Sequence, residues 1–385
     1  MYNNDVIELL KKTNIVDVVE ETVKLYRNNG ILFGLCPFHK ERTPSFSVNP
    51  STQTFQCFGC GIGGNVISFI MMRDNCSFED AVTKLAIRAG VENPENKKDT
   101  ETEKKKNRLY QINDLACAYF YQKGKNSEDA KQYLKKRGLS DATIKKFNLG
   151  MSGGYFADAL STYLSSKGCT KEEMLDAGLI SQKEESDEYH DKFWNRIMFP
   201  IFNANNKIVG FGGRILGEGK PKYLNSPETI IFDKSHELYG LHIAKTKNKP
   251  FILCEGYLDV ISMHQAGFQT AVASLGTALT YAQAEIIKKY TNTVFIAYDS
   301  DTPGLRATAR AISILEEVGL RVFVATTAPF KDVDELLQKG AEGTEEMKKR
   351  IREAVHGRRF LIEQLKTEKG DDLDGFYDEA VKHLL

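Results

Sequence analysis

The chain has no excess of either charge: Lys plus Arg and Asp plus Glu both total 52 in 385 residues. No global field therefore gathers an anionic polymer, so any grip on nucleic acid must come from local basic patches or bound cations. The chain also has no long apolar run. The longest, Val66–Met72, is broken by Ser68 and falls well short of the roughly 20 apolar residues that a membrane-crossing helix needs. No G-x-x-x-x-G-K-[ST] segment occurs, so a P-loop helicase finds no support. The cysteines number seven, an odd count, without a signal-peptide pattern. This argues for free or metal-bound thiols and for a cytoplasmic protein with no membrane partner.

Four metal-ligating residues are present in a telling order. Cys36, His39, Cys57 and Cys60 form a C-x2-H-x17-C-x2-C array. Each two-residue spacer lets both members of a pair reach one ion, as a tetrahedral zinc site requires. Four protein ligands leave no open position, so the zinc is expected to organise a fold and to do no chemistry. Between the pairs, F-S-V and T-F-Q-C flank N-P-S-T-Q, the pattern of a β-hairpin. The preceding VIELLKKTNIVDVVEETVKLY has helical spacing with Asn14 as a cap; the following SFEDAVTKLAIRAG has Ser77 as cap and Gly90 as stop. Both helices are expected to pack on the hairpin. Charges of both signs crowd ENPENKKDTETEKKKNR, which reads as a linker or the start of a solvated helix.

From Pro250 onward, short β-rich runs alternate with helices. FILC, TAVASL, TVFIAY and RVFVATT are each followed by helical sequence, the signature of a parallel sheet flanked by helices. In such sheets the functional crevice lies at the carboxyl ends of the strands. Glu255 follows FILC, Asp299 and Asp301 follow TVFIAY, and Asp332 and Asp334 lie just past RVFVATT; Asp259 sits one helical turn after Glu255. Acids from three strands thus converge on one edge. Clustered carboxylates repel unless a cation neutralises them, and oxygen-only ligands favour magnesium or manganese. The expected chemistry is metal-assisted phosphoryl transfer. The competing view makes each acid a solvated helix cap, an option open to Asp299 and Asp301 in particular.

Between linker and sheet, MFPIF and KIVGF are strand-like and joined by N-A-N-N, a hairpin turn, after which Gly212 and Gly213 permit close backbone approach. Arg196, Arg214, Lys222 and Lys234 punctuate this segment, offering fork and point charges to phosphate.

Ten segments in order, among them CPFHKERTPSFSV, FQCFGCGIGGNVISFIM, YLKKRGLS, NRIMFPI, GFGGRIL, PKYLNSPET, EGYLDV, SLGTALT, YDSDTPG and KDVDE, make the chain resemble bacterial DnaG-type primases over nearly its whole length. The resemblance implies an α+β multidomain protein. A zinc-ribbon β-hairpin domain with helices (1–91) reads template and is followed by a charged linker (92–107). A mixed α/β N-terminal polymerase subdomain (108–249), a Toprim α/β parallel sheet (250–334) and a short, partial helical C-terminal segment (335–385) complete it. It also implies an enzyme, a DNA-directed RNA polymerase acting in DNA replication, that joins NTPs into an RNA primer on single-stranded DNA. Cys36, His39, Cys57 and Cys60 match the family's zinc ligands. Glu255, Asp299 and Asp301 match its catalytic acids and, with Asp332 and Asp334, its magnesium- or manganese-binding positions; Arg214, Lys222 and Lys234 match residues that handle nucleotide or template.

The chain departs from the family at the first polymerase motif, usually D-R-F-R-x-R, where Asp191–Arg196 reads DKFWNR and Trp194 replaces a basic side chain. Val333 stands where proline is usual. The replicative helicase is a further partner that the family implies, although the domain that docks on it would lie beyond Leu385. In the zinc domain Phe38, Phe46, Phe55 and Phe58, with Lys40 and Arg42, are candidates for stacking on template bases, with Phe46 assigned to the core. Two alternatives remain: a Toprim nuclease using the same acids, and a non-catalytic zinc protein that binds single-stranded DNA.

Overall fold

The computed structural model describes residues 11–369 and 372, except 12, 29, 75, 77, 90–93, 155–157, 183–187, 246–248 and 277. The expected cap Ser77, the expected stop Gly90, and the parts of the expected helical sequence at 6–10 and 373–385 lie outside the described residues. Among those described, no helix is long and apolar enough to cross a membrane. The chain divides into two compact units, Met1–Lys105 and Lys106–Leu385. Residues 94–108 of the charged run fall in the helix Pro94–Asn126.

The first unit is built on an antiparallel meander of five strands in sequence order: β1 (Tyr26–Asn28), β2 (Ile31–Gly34), β3 (Phe46–Asn49), β4 (Thr54–Cys57) and β5 (Gly63–Asn65). The predicted hairpin is β3–β4, with Phe46 opposite Cys57 and Val48 opposite Phe55. Asn49 closes its turn by accepting the Ser51 and Thr52 amides at 2.9 and 3.3 Å. Alternation puts Phe46, Val48, Phe55 and Cys57 on one face, where they meet buried residues of the helices Ile15–Val19, Val66–Asp74 and Phe78–Arg88. Asn14 caps the first of these helices, its side chain accepting the Val16 amide at 3.1 Å. That helix ends at Val19, well before the predicted Tyr26, because Tyr26 is drawn into β1 by pairing with Phe33.

Among the described residues, the second unit holds a four-stranded, a five-stranded and a two-stranded sheet. The strands β6 (Gly150–Met151), β7 (Ile180–Gln182), β8 (Tyr189–Asp191), β9 (Arg196–Phe202), β10 (Ile208–Ile215) and β11 (Tyr223–Asn225) precede the predicted parallel region. Of these, β11-β10-β9-β6 form an antiparallel sheet, and β7 pairs β8. The N-A-N-N turn joins β9 to β10 as expected, with the Asn203 carboxamide accepting the Asn205 and Lys207 amides at 2.9 and 3.1 Å. The close approaches at the paired glycines are made by side chains: a Cβ on Gly212 would lie 2.6 Å from the Tyr257 ring, and one on Gly213 would lie 2.8 Å from Arg196 Cδ.

Beyond Pro250 come β12 (Phe251–Cys254), β13 (Ala271–Ala273), β14 (Thr293–Ile296) and β15 (Arg321–Val324), all mutually parallel in the order β13-β12-β14-β15. All four are rich in buried apolar residues, as a sheet covered on both faces demands. One edge strand was not expected: β16 (Val355–His356) pairs antiparallel with β15, a contact too short to leave a periodicity in the sequence. It lies between the helices Ala341–Arg352 and Gly357–Lys369.

Candidate functional site

In the first unit, the turn after β2 and the end of β4 bring four ligands together. The Sγ atoms of Cys36, Cys57 and Cys60 and a ring nitrogen of His39 all lie within 4.8 Å of one another, a soft sulfur and nitrogen set that fits zinc. Cys36 Sγ is 3.9 Å from Cys60 Sγ, and His39 Nδ1 is 3.7 Å from Cys57 Sγ, so Nδ1 is the nitrogen turned to the ion. The opposite nitrogen, Nε2, faces Glu41 Oε2 at 3.3 Å, the carboxylate–histidine arrangement that orients a ligand ring. Gly59 leaves room for that ring, since a Cβ there would sit 2.8 Å from His39 Nε2. Burial pushes the Cys36 thiol up to about 11. At Cys57 the cost of burial is outweighed by the Ser45 hydroxyl and the amides of Cys60 and Gly59, which bring the thiol down to about 6. A bound dication would supply the charge that holds all three as thiolates.

Around this array, Phe38, Phe46, Phe55 and Phe69 form one aromatic cluster with centroids 5.3–6.2 Å apart. Phe46 and Phe55 are fully buried and Phe38 is half-buried. Phe55 is therefore a core residue, and Phe38 packs partly against that core. Phe58, between two zinc ligands, is 68% exposed, and Lys40 and Arg42 are exposed as well.

In the second unit, a cavity of about 630 Å³ opens at the carboxyl edge of the parallel sheet. Glu255, Asp259, Asp299, Asp332 and Asp334 line it together with Arg137, Arg214, Lys222 and Lys331. Parallel order β12-β14-β15 explains the convergence, because each acid follows the end of a strand whose neighbours end at the same level. Glu255 Oε1 accepts the Asp299 amide at 3.2 Å. Burial, followed by the charges of Asp301 and Asp332, raises the Glu255 carboxyl. Burial, then Glu255, Asp332 and Asp301, pushes Asp299 up to about 7. This mutual repulsion among oxygen ligands is what a divalent cation relieves, and the donor set fits magnesium or manganese.

The acids are not equivalent. Asp301 is exposed and caps the helix Thr302–Glu317 through the Gly304 amide at 2.9 Å, while its charge reaches Glu255 and Asp299. Asp332 caps the helix Val333–Leu337 through the Glu335 amide at 2.7 Å. The cap assignment thus describes part of what these two do; Asp332 also lines the cavity, whereas Asp301 does not line it and reaches the cluster only through its charge. Asp334, only 2% exposed, is saturated by protein donors: Arg137 at 2.6 Å and Gln338 at 3.0 Å on Oδ2, and Ser262 at 2.6 Å on Oδ1. Asp259 accepts the Asp334 and Gly256 amides, both at 3.1 Å; burial and the neighbouring acids raise its carboxyl well above the usual range.

Among the basic residues, Arg214 and Lys222 line the cavity and Lys234 does not. Arg214 donates to the Tyr223 hydroxyl at 2.9 Å. Partial burial, with the charges of Arg214, Lys331 and Arg137, holds the Lys222 ammonium below the ordinary lysine range. Arg196 is 1% exposed and spends its guanidinium on the carbonyls of Gly213 and Pro221 at 3.1 and 3.0 Å, so it braces the sheet and offers nothing to phosphate. Asp191 accepts the amides of Leu160 and Ser161 at 2.8 and 3.0 Å, making both ends of the DKFWNR segment internal supports. Nothing in the local spacing of Arg137 and Lys331 marks them; only the fold brings them to the acids.

A zinc ribbon and a parallel sheet with acids at its carboxyl edge define a zinc-ribbon Toprim protein. Residues 1–101 match the CHC2 zinc finger family, 119–245 the N-terminal domain of the DNA primase catalytic core, and 252–337 the Toprim-like family. The chain is 44% identical over 343 residues to a DNA primase of Clostridium acetobutylicum, covering 88% of this chain and 57% of the relative. Identity to the DNA primase of Halalkalibacterium halodurans is 40% over 346 residues, covering 87% and 57%. Thus the chain spans 57% of the length of these curated relatives. The crystal structure of the Aquifex aeolicus primase zinc-binding and RNA polymerase domains superposes with a TM-score of 0.64 at 33% identity, covering 100% of this chain and 92% of that one. A DnaG primase catalytic domain bound to single-stranded DNA matches with a TM-score of 0.62 at 33% identity, over 69% and 84%. The chain belongs to the DnaG-type DNA primase family.

Proposed function

We propose that this chain is a DNA-directed RNA polymerase that makes short RNA primers on single-stranded DNA from NTPs. The observation that carries the proposal is the single cavity in which Glu255, Asp299 and Asp332 face Arg137, Arg214, Lys222 and Lys331. Carboxylates alone would repel a triphosphate, and cations alone would bind it without activating it; the two sets side by side suit nucleotidyl transfer. Glu255, Asp299, Asp301 and Asp332 would hold magnesium or manganese, which supplies charge stabilisation for the attacked phosphate and activates the attacking hydroxyl. Arg214, Lys222 and Lys331 hold triphosphate oxygens, and Lys234 approaches the strand from outside the cavity. Asp334, with Arg137, keeps that wall in place. Residues 1–91 serve as the template reader, with Phe58, Lys40 and Arg42 presented to bases and phosphates.

The test is incorporation of ribonucleotides on defined single-stranded oligonucleotides by the zinc-loaded chain with magnesium or manganese. Short RNA products are expected, and Asp299→Ala is expected to lower their yield at least about 100-fold, the scale of losing a preorganised electrostatic group. An Asp299→Ala protein as active as the parent would overturn the proposal. So would nicking of supercoiled DNA without NTPs and without primer synthesis.

A further inference from the structure

The acids at the ends of β12, β14 and β15 belong to three separate loops, and something must set their spacing. The dipeptide Asp299–Ser300 is where those loops are tied. Toward β12, the Asp299 amide donates to the Glu255 carboxylate at 3.2 Å. Toward β15, the Ser300 amide donates to the Lys331 carbonyl at 2.8 Å. The Ser300 hydroxyl donates to the Phe330 carbonyl at 2.8 Å, with a longer contact of 3.3 Å to the Lys331 carbonyl. Residues 330 and 331 lead directly into Asp332, and the Lys331 side chain lines the same cavity. From the far side, Lys331 is anchored through its own amide, which donates to Glu335 at 2.6 Å.

We infer that Ser300 is a positioning residue whose side-chain hydroxyl sets the distance between the Asp299–Asp301 loop and the Lys331–Asp332 loop, and so tunes cation affinity and triphosphate grip. This rests on the proposed function above. The backbone bond from Ser300 to Lys331 is available to any residue except proline, whereas the bond to Phe330 needs a hydroxyl. Without the hydroxyl, residues 330 and 331 lose both of its contacts and keep only the backbone bond to the loop that follows β14. Asp332 and Lys331 then sample positions less suited to a shared cation, and the loss appears as weaker cation binding, with the chemistry at saturation unchanged.

The experiment measures Mn²⁺ binding to the zinc-loaded full chain by electron paramagnetic resonance, beside primer synthesis across a magnesium titration. For Ser300→Ala the expected result is Mn²⁺ affinity lowered about three- to tenfold, the scale of one lost hydrogen bond. The magnesium requirement rises by a similar factor, and kcat at saturating metal stays within about twofold. Ser300→Thr, which keeps the hydroxyl, restores parental metal dependence. Parental Mn²⁺ affinity in Ser300→Ala, or loss of kcat at saturating metal with no change in metal dependence, would overturn the inference and leave the primase reading standing. Absence of Mn²⁺ binding in the parent would overturn both.

Discussion

Asp299 is half-buried among like charges, and replacing it should strengthen the metal-free fold while removing activity. Its carboxyl is pushed up to about 7 by burial first, then by Glu255, Asp332 and Asp301, with Lys331 opposing. The folded state therefore binds this proton more tightly than the unfolded chain does. Its contribution to stability is complete below the ordinary aspartate pKa of about 4 and is lost as pH rises through about 7. At about 1.4 kcal/mol per pKa unit, the full difference is roughly 4 kcal/mol. The site is open to solvent, and screening reduces this to roughly 1–2 kcal/mol. Asp299→Asn removes the penalty. In magnesium-free buffer at pH 8, the variant should melt about 2–8 °C above the parent, and the gap should close toward pH 5. Added magnesium should raise the parent's Tm and leave the variant nearly unmoved, because only the parent gains a cation. Thermal melts of zinc-loaded protein at pH 5, 6.5 and 8, with and without magnesium, check this. A variant that melts below the parent at pH 8 without magnesium, or that responds to magnesium as the parent does, refutes the reasoning.

Three further outcomes follow from the first unit. Cys57→Ala should reduce bound zinc from one ion per chain to none by metal analysis, and limited proteolysis should then cut within residues 1–105 while the second unit stays intact, because Cys57 is both ligand and core residue. Phe46→Ala should cost about 3–5 kcal/mol of stability as a core truncation, read by denaturant melts. Phe58→Ala should leave stability within about 0.5 kcal/mol and weaken binding to single-stranded DNA by about 1–3 kcal/mol, measured by fluorescence anisotropy.

Much of the candidate site was legible before any coordinates. The zinc array announces itself because its ligands come in pairs two residues apart, and local chain geometry alone delivers each pair to one ion. The strands β12, β14 and β15 show as short apolar runs because a parallel sheet is covered on both faces, and an acid at the end of such a run has only one edge to occupy. Roles that depend on who sits across the space were illegible. Asp334 looks like the other acids in sequence, yet Arg137, Ser262 and Gln338 consume its oxygens. Arg196 looks like Arg214, yet one is enclosed by carbonyls and the other lines the cavity. Phe55 and Phe58 differ by three positions, and strand alternation buries the first while the turn between zinc ligands exposes the second.

The amino-acid sequence by itself determined the two metal chemistries, soft thiolate and imidazole in one unit and oxygen in the other, because ligand type and short-range spacing are covalent facts of the chain. It also determined the alternation of strand and helix that gathers acids on one edge. Only the tertiary structure decided which acids stay available to a cation, which cations face them, and which aromatics remain exposed. Those outcomes turn on desolvation and on partners distant in the chain, such as Ser262 and Arg137, which lie 72 and 197 residues from Asp334, and no local pattern encodes such distances.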